Sequence, residues 1–270
     1  MSRIESALFE LASLDTLATR DSFMHRLDPR AKVVTTLVFI LCVVSLGKYQ
    51  LAALLPFFLF PVVVLSVGHI PLGFLLKKLL LIAPFAILIG IFNPIFDRQI
   101  LLQVGPLGVS GGWVSCVSIL LRFALTISAA LLLIATTSFN GVCLALEKLG
   151  VPRVFTLQLL FLHRYLFVLV DEGRRLVSAR ALRSFNGKGM ELAIFGQLVG
   201  QLLLRTLDRA QRIHQAMCCR GFDGEIRLLR RYRFGRAELL FMLGWCGAFL
   251  LLRSYNLPRL LGSYFLELFR

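Results

Sequence analysis

The sequence predicts an all-α, polytopic membrane protein with about five transmembrane helices and long cytoplasmic helices. Of its 270 residues, 57% are hydrophobic and only 17% are charged, whereas soluble domains carry about a quarter charged residues. Several apolar runs approach the length that crosses a hydrocarbon core of about 30 Å. These runs are continuous rather than alternating, which argues against a transmembrane β-barrel.

Five spans are predicted in chain order. Asp28 and Pro29 suit the start of the first, because Asp caps helices and Pro fits the first turn. Pro56 and Pro61 are expected to kink the second, and a glycine-rich external loop at 104–112 precedes the fourth. The predicted apolar spans cover residues 33–46, 51–67, 79–96, 114–137 and 237–252.

The distribution of basic residues predicts which loops face the cytoplasm. Region 172–236 holds 14 Lys or Arg and 5 Asp or Glu, nearly half of the chain's 30 basic residues. By the positive-inside rule this region is cytoplasmic, as are Lys77 and Lys78, whereas the sparsely charged loops at 47–50 and 97–113 lie outside. The expected location is the bacterial or archaeal cell (inner) membrane, crossed several times.

The apolar stretch 154–170 is predicted not to cross the membrane. Four earlier spans return the chain to the cytoplasm near residue 138, so a crossing here would put the basic region outside. His163 and Arg164 within the stretch would also be costly at the bilayer centre. The stretch therefore lies along the surface or is partly embedded, and the chain divides into residues 1–137 with four spans, a cytoplasmic helical region 138–236, and the last span with its tail, 237–270.

The cytoplasmic region is predicted to contain two long helices. The first covers about 153–185 and stops at Asn186-Gly187. The second covers about 190–220 and stops at Gly221. Asn and Gly tolerate the left-handed conformation that commonly follows the end of a helix.

A repeated phrase marks the ends of both helices. "RSFNG" at 183–187 returns as "RGFDG" at 220–224, which places Arg183 and Arg220 in matching positions. A basic residue near a helix C-terminus is favoured by the dipole alone, by about 0.3–1 kcal/mol, so a solvated cap is the plain explanation. The alternative is a pair of anchors for a soluble partner, because the planar guanidinium can bind a carboxylate through two hydrogen bonds. Phe185 and Phe222 would add apolar contact.

Five phrases along the chain resemble one membrane protein family. The sequence is similar to the transmembrane (T) component of energy-coupling factor (ECF) transporters, of the cobalt-type CbiQ family. The resemblance covers about residues 22–255, and "AMCCRGFDG" is its most specific phrase. The similar phrases are "HRLDPRAK" at 25–32, "FNPIF" at 92–96, "LGVPR" at 149–153, "HRYLFVLVDE" at 163–172 and "AMCCRGFDG" at 216–224.

The resemblance implies a non-catalytic scaffold with several partners. These are two cytoplasmic ABC-type ATPase subunits, which bind ATP, a substrate-capture membrane subunit for cobalt or nickel, and a small accessory membrane subunit as a further candidate. Each of two coupling helices would end in an Ala-Arg-Gly-like signature whose arginine docks in an ATPase groove.

The resemblance carries over to particular residues at the two helix ends. Arg220 with Gly221 matches the second signature, and Arg183 with Ser184 matches the first. Leu182 departs from the small residue expected before the arginine, so Arg180, within Ala179-Arg180-Ala181, remains a competing placement.

Other chemistries find little support in the residues. The chain has no GxxxxGK[ST] loop, and Asp97 is the only acid between Pro29 and Leu146, which leaves little for catalysis or a metal site. No cofactor or metal is therefore expected on this chain. The basic region lies beside membrane spans and is amphipathic, so we expect contact with anionic lipid rather than nucleic acid.

Three functional hypotheses follow. The first is the scaffold of an ATP-driven cobalt importer, with nickel as the alternative ion. The second is a membrane enzyme that acts on phospholipid at the cytoplasmic face. The third is a self-sufficient carrier, for which the spans offer few polar residues beyond Arg122. Co-purification of ATPases and a small membrane partner would separate the first from the others.

Overall fold

The computed structural model describes residues 18, 22–47, 50–96, 100–104, 107–183, 192–224 and 235–254. Two compact units divide the chain. The first comprises Met1–Ala145 with Tyr232–Arg270, and the second comprises Leu146–Arg231. Nearly all described residues are helical, so the all-α fold class is confirmed, with one small β-hairpin in addition.

The first unit contains most of the helices. In chain order its elements are α1 (Phe23–Arg26), α2 (Pro29–Val44), α3 (Leu51–Leu54), a 3₁₀ turn (Leu55–Phe58), α4 (Leu59–Val67), α5 (Leu72–Phe96), β1 (Ile100–Val104), β2 (Leu107–Ser110), α6 (Gly111–Thr137), α7 (Phe139–Lys148) and α10 (Arg236–Ser254). The last turn of α7 already belongs to the second unit.

Two sequence predictions about helix breaks can be checked in this unit. The Asp28 carboxylate accepts a hydrogen bond from the Arg30 main-chain nitrogen at 2.9 Å, and Pro29 is the first residue of α2, so the predicted start is confirmed. Pro56 lies in the 3₁₀ turn that separates α3 from α4. Pro61 falls in the first turn of α4, where a missing N–H costs no helical hydrogen bond.

An aromatic cluster forms the centre of the first unit. The Phe39 ring lies 4.8 Å from the Phe60 ring and 5.2 Å from the Phe249 ring, between centroids. Trp245 packs edge-on against Phe60 at 5.1 Å. Phe39, Phe57 and Phe249 are essentially inaccessible to solvent, so α2, the Leu51–Val67 segment and α10 are joined by a packed core.

Four described helices are long and apolar enough to cross a membrane: α5, α6, α10 and a helix at Arg153–Arg183. The first three correspond to predicted spans. Of the other two predicted spans, α2 has 16 residues and Leu51–Val67 is also shorter than the usual crossing length. The Arg153–Arg183 helix is long enough to cross the membrane. Its placement on the cytoplasmic side therefore rests on the charge distribution alone and stays a prediction.

The glycine-rich segment before α6 differs from the plain loop that was predicted at 104–112. Strands β1 and β2 pair antiparallel, with Ile100 opposite Ser110 and Val104 opposite Leu107. The ladder satisfies main-chain groups that an open loop would leave to water. The apolar run of β1 is too short to suggest a transmembrane span, and the composition of the sequence does not indicate that it pairs with β2.

The second unit is dominated by two long helices, α8 (Arg153–Arg183) and α9 (Leu192–Cys219). The predicted ranges, about 153–185 and 190–220, agree with these bounds to within two residues. The helices have 31 and 28 residues, which corresponds to about 46 and 42 Å at 1.5 Å per residue.

Candidate functional site

The entry to α8 is fixed by the end of the preceding helix. Gly150 has φ +107 and follows α7, and the Val151 main-chain nitrogen donates to the Leu146 carbonyl at 3.1 Å. This is the hydrogen bond of a Schellman ending, for which Gly is favoured because it has no Cβ to clash. An ion pair between Arg153 and Glu147, at 3.6 Å, joins the first residue of α8 to α7.

Helices α8 and α9 meet at one carboxylate. Glu172 on α8 accepts a hydrogen bond from Arg205 Nη1 at 2.9 Å, and Arg209 Nη2 lies 3.7 Å from its second oxygen. The hydrogen bond from Arg205 and the positive charge of Arg209 lower the pKa of Glu172 below the usual 4.5. Glu172 is therefore ionised at neutral pH and holds two arginines of α9 against α8.

A groove of about 400 Å³ lies beside this contact. It combines apolar side chains of both helices with the arginines of α9. Its lining includes Tyr165, Val168, Leu169, Arg209, Arg212 and Ile213. Arg205, Arg209 and Arg212 of α9 all line the groove.

The end of α9 presents Arg220 on a rigid turn. Gly221 has φ +78, its nitrogen donates to the Cys218 carbonyl at 3.0 Å, and the Phe222 nitrogen donates to the Met217 carbonyl at 3.0 Å. These two bonds are the complete Schellman pattern, in which Arg220 is the C-cap and Gly221 supplies the left-handed residue. Arg220 is exposed, and its main chain is fixed by its own hydrogen bond to Met217.

The end of α8 presents Arg183. It is the last residue of the helix and is exposed, as is Leu182, at 85% of its surface. Arg180 lies one turn earlier and is half-buried. Ser184 and Phe185 lie outside the described residues, so the turn after Arg183 cannot be compared with the turn after Arg220.

Arg183 and Arg220 are thus at helix ends, as predicted, but their positions are not identical. Arg183 closes α8, whereas Arg220 is one residue beyond α9. From the Glu172–Arg205 contact they lie 11 and 15 residues further along their helices, or about 16 and 22 Å. The contacts at Glu172 therefore leave both arginines well away from the place where the two helices are joined.

Some described arginines of the second unit form ion pairs within the chain, and others do not. Arg205 and Arg209 are paired with Glu172, Arg174 is paired with Asp171 at 3.8 Å, and Arg153 is paired with Glu147. In the part of the chain that the structure describes, the Arg183 and Arg220 guanidinium groups have no intrachain hydrogen bond or ion pair. Sequence reasoning missed Glu172 as the partner of Arg205 and Arg209; its only signal was an acid in a strongly basic stretch.

A resident metal or cofactor has no evident set of ligands on the described residues. Among them, no group of three or more His, Cys, Asp or Glu side chains converges as a metal site would require. The nearest approach is the pair of His214 Nε2 and Cys218 Sγ, 3.7 Å apart on the exposed surface of α9. All six cysteines are free thiols.

The fold and this helix pair define a multi-pass α-helical membrane protein that carries two exposed arginines at the ends of long helices. A family model described as "Cobalt transport protein", CbiQ, matches residues 20–230. The chain therefore belongs to the CbiQ family, and the resemblance to ECF transporter T components is confirmed.

Individual relatives agree with this family. The energy-coupling factor transporter transmembrane protein EcfT of Bacillus subtilis is 30% identical over 75% of this chain and 82% of its own length. A protein of the same name from Listeria innocua is 30% identical over 83% of this chain and 91% of its own. The cobalt transport protein CbiQ of Rhodobacter capsulatus is 27% identical, with coverages of 81% and 88%.

Proposed function

We propose that this chain is the non-catalytic transmembrane scaffold of an ECF-type importer, which couples ATP hydrolysis on two cytoplasmic ABC-type ATPase subunits to cobalt uptake through a separate substrate-capture membrane subunit. Membership of the CbiQ family supports the scaffold role. The names of relatives such as the Rhodobacter capsulatus protein favour cobalt over nickel.

One observation carries the coupling role. The α9 helix ends in an arginine that is exposed and rigidly positioned, while Arg205 and Arg209 of the same helix are engaged with Glu172. Among the described residues Arg220 has no intrachain ion pair, and a carboxylate on an ATPase would provide a partner through a bidentate contact. The same argument applies to Arg183 at the end of α8, with Arg180 as the competing residue.

Force transfer through these helices follows from their construction. Each is a continuous rod of about 28–31 residues, and an α-helix transmits displacement along its axis because its interior main-chain groups are hydrogen bonded along that axis. The Glu172 contact ties the rods together, so a movement of one arginine-bearing end is expected to displace the other helix. We infer that ATP-driven movement of the ATPases reaches the substrate-capture subunit in this way.

A co-purification experiment tests the proposal. The Arg183→Ala/Arg220→Ala double variant is expressed with the ATPase and membrane subunits, extracted in mild detergent, and isolated through a tag on this chain. We expect the ATPases to be lost, cobalt uptake to fall with them, and insertion in the membrane to be unchanged. Arg175→Ala, at an exposed position of α8 two turns before Arg183, is the matched control and should retain both ATPases and uptake.

Two results would contradict the proposal. Undiminished ATPase recovery and uptake in the double variant would show that these arginines are not the anchors. Labelling from the extracytoplasmic side of Phe222→Cys, introduced into a variant whose six native cysteines are replaced by serine, would place the arginines on the wrong side of the membrane. Uptake of nickel instead of cobalt, with the same loss in the double variant, would retain the scaffold role and change the ion.

A further inference from the structure

The phrase "HRLDPRAK" contains a lysine that the coupling arginines do not explain. Lys32 on α2 is 4% exposed, and its ammonium donates to the Thr136 carbonyl at 3.0 Å. Burying an ammonium is costly unless it is hydrogen bonded, so this contact is a strong constraint on the packing of α2 against α6. The sequence separation of 104 residues makes it a long-range tie.

The acceptor of this hydrogen bond is at the end of a helix. Thr136 is the penultimate residue of α6, where carbonyls lack partners in their own helix. The negative end of the helix dipole also favours a cation there. Lys32 therefore acts as a side-chain cap for α6, supplied from α2.

The chain turns a strained corner directly after this cap. Ser138 has φ +63, a left-handed conformation that is uncommon for a residue with a side chain. Its hydroxyl accepts from the Gly141 nitrogen at 3.3 Å, and its carbonyl accepts from the Val142 nitrogen at 3.2 Å, which starts α7. Such a conformation persists only where the surrounding structure holds it.

The beginning of α2 also packs against this corner. A Cβ built on Gly141 would lie 3.0 Å from Thr137 Cγ2 and 3.7 Å from Pro29 Cγ, so only glycine fits without displacement. Asp28, buried to 98% of its surface, fixes the same turn of α2 by its cap to Arg30. The start of α2 therefore holds the α6–α7 corner in two ways. The Lys32 ammonium bonds to Thr136, and the Pro29 ring packs beside Gly141.

We propose that Lys32 is a positioning residue for energy coupling: it fixes the α6–α7 corner, from which the chain passes into α8. The inference rests on the proposed function, because a fixed corner matters most if α8 and α9 carry force. With Lys32 in place, displacement of the coupling helices is resisted at the corner and is delivered to the membrane subunits. Without it, the corner yields and ATP is hydrolysed with less transport.

The test compares Lys32→Met with Lys77→Met in the complete complex reconstituted in vesicles. Methionine keeps the length of the side chain and removes its charge and donor, and Lys77 is an exposed lysine on α5. Cobalt(II) uptake and ATP hydrolysis are measured on the same vesicles. We expect about tenfold fewer ions per ATP for Lys32→Met, the scale of one lost buried hydrogen bond, and an unchanged ratio for Lys77→Met.

A second readout separates this inference from the proposed function. Hydrogen exchange of main-chain amides in 138–148 should accelerate in Lys32→Met, whether or not transport is coupled through the arginines. Accelerated exchange with an unchanged ion-to-ATP ratio would overturn the coupling role of Lys32. A reduced ion-to-ATP ratio in Lys32→Met, together with full ATPase recovery in the Arg183→Ala/Arg220→Ala variant, would support the role of the α6–α7 corner and reject the arginines as anchors.

Gly141→Ala provides an independent variant if Lys32→Met does not fold. The added methyl pushes against Thr137 Cγ2 and disturbs the corner without altering a charge. We expect Gly141→Ala to reduce the ion-to-ATP ratio as well. Lys32→Arg keeps the cation and a donor, so its ratio should be higher than that of Lys32→Met. An unchanged ion-to-ATP ratio in Gly141→Ala would overturn the proposal. Equal losses of uptake and of ATPase binding in Gly141→Ala and Lys32→Met would overturn it as well.

Discussion

The two units of this molecule are stabilised in different ways. In the first unit, aromatic rings from three segments pack around Phe39, which has no exposed surface. In α8 the only buried described residue is Thr156, and large apolar residues such as Val154 of α8 (77% exposed) and Leu204 of α9 (65% exposed) lie on the surface. The first unit has its own core, whereas α8 and α9 present apolar surface to whatever surrounds them.

The difference fits the proposed function, in which the first unit is fixed and the helix pair of the second unit moves. A packed core resists deformation because core volume changes are costly. A helix pair joined at a carboxylate can move with little repacking, and its apolar faces are available to lipid or to another membrane subunit. Substitutions should therefore act on stability in the first unit and on assembly in the second.

The largest expected effect comes from the core of the first unit. Phe39→Ala removes a fully buried ring that contacts three other rings, which costs about 3–5 kcal/mol of unfolding free energy in comparable cores. Leu203→Ala on α9, at a 58% exposed position, should change stability by no more than about 0.5 kcal/mol. Thermal unfolding in detergent, followed by size-exclusion fluorescence, measures both. Equal destabilisation would contradict the distinction between the units.

A free arginine and a paired arginine of the same helix should behave differently. On the proposed docking, Arg220→Ala would leave an ATPase carboxylate unpaired and should weaken ATPase binding by about 2–5 kcal/mol, without altering the fold of this chain. Arg205→Ala breaks only the internal pair with Glu172 and should leave ATPase binding within about 1 kcal/mol of wild type. Titration of purified ATPase onto the chain in nanodiscs gives both affinities. A greater loss of ATPase affinity in Arg205→Ala than in Arg220→Ala would contradict the assignment of Arg220 as the ATPase anchor.

The left-handed turn after Arg220 should have a smaller effect. Gly221→Ala places a Cβ on a residue with φ +78, which costs about 1–2 kcal/mol. The turn has open space around Gly221, so the penalty is conformational rather than steric. We expect ATPase affinity to fall by roughly fivefold to thirtyfold, because fewer molecules adopt the left-handed turn that presents Arg220. Gly196→Ala, in the interior of α9 and also in open space, is the control and should not reduce affinity.

The smallest effect should be the pH dependence of the contact between α8 and α9. Arg205 and Arg209 lower the pKa of Glu172, so the contact contributes above the unfolded-state pKa near 4.5 and is lost as pH falls through the lower folded-state pKa. Hydrogen exchange in 165–175, corrected for its intrinsic pH dependence, should show protection that declines only in this acidic range. Glu172→Gln should lack the decline, and a decline at neutral pH would contradict the assignment.

Sequence patterns alone determined the class of the protein and the ends of its long helices. Apolar runs of about 20 residues indicate a lipid environment, and Gly221 ends its helix by a local conformational preference, so both features can be predicted without tertiary contacts. The repeated arginine phrases likewise located the two helix ends, although the residues after Arg183 fall outside the described structure.

Tertiary structure decided which charges are engaged and which are available. Glu172 meets Arg205 across 33 residues, and Lys32 meets Thr136 across 104. Neither pairing has a sequence signal, because the energy of a buried or bridged charge depends on distance and solvent access rather than on composition. For the same reason the Ser138 corner was not predicted: its left-handed conformation is imposed by the packing of α2 against the end of α6.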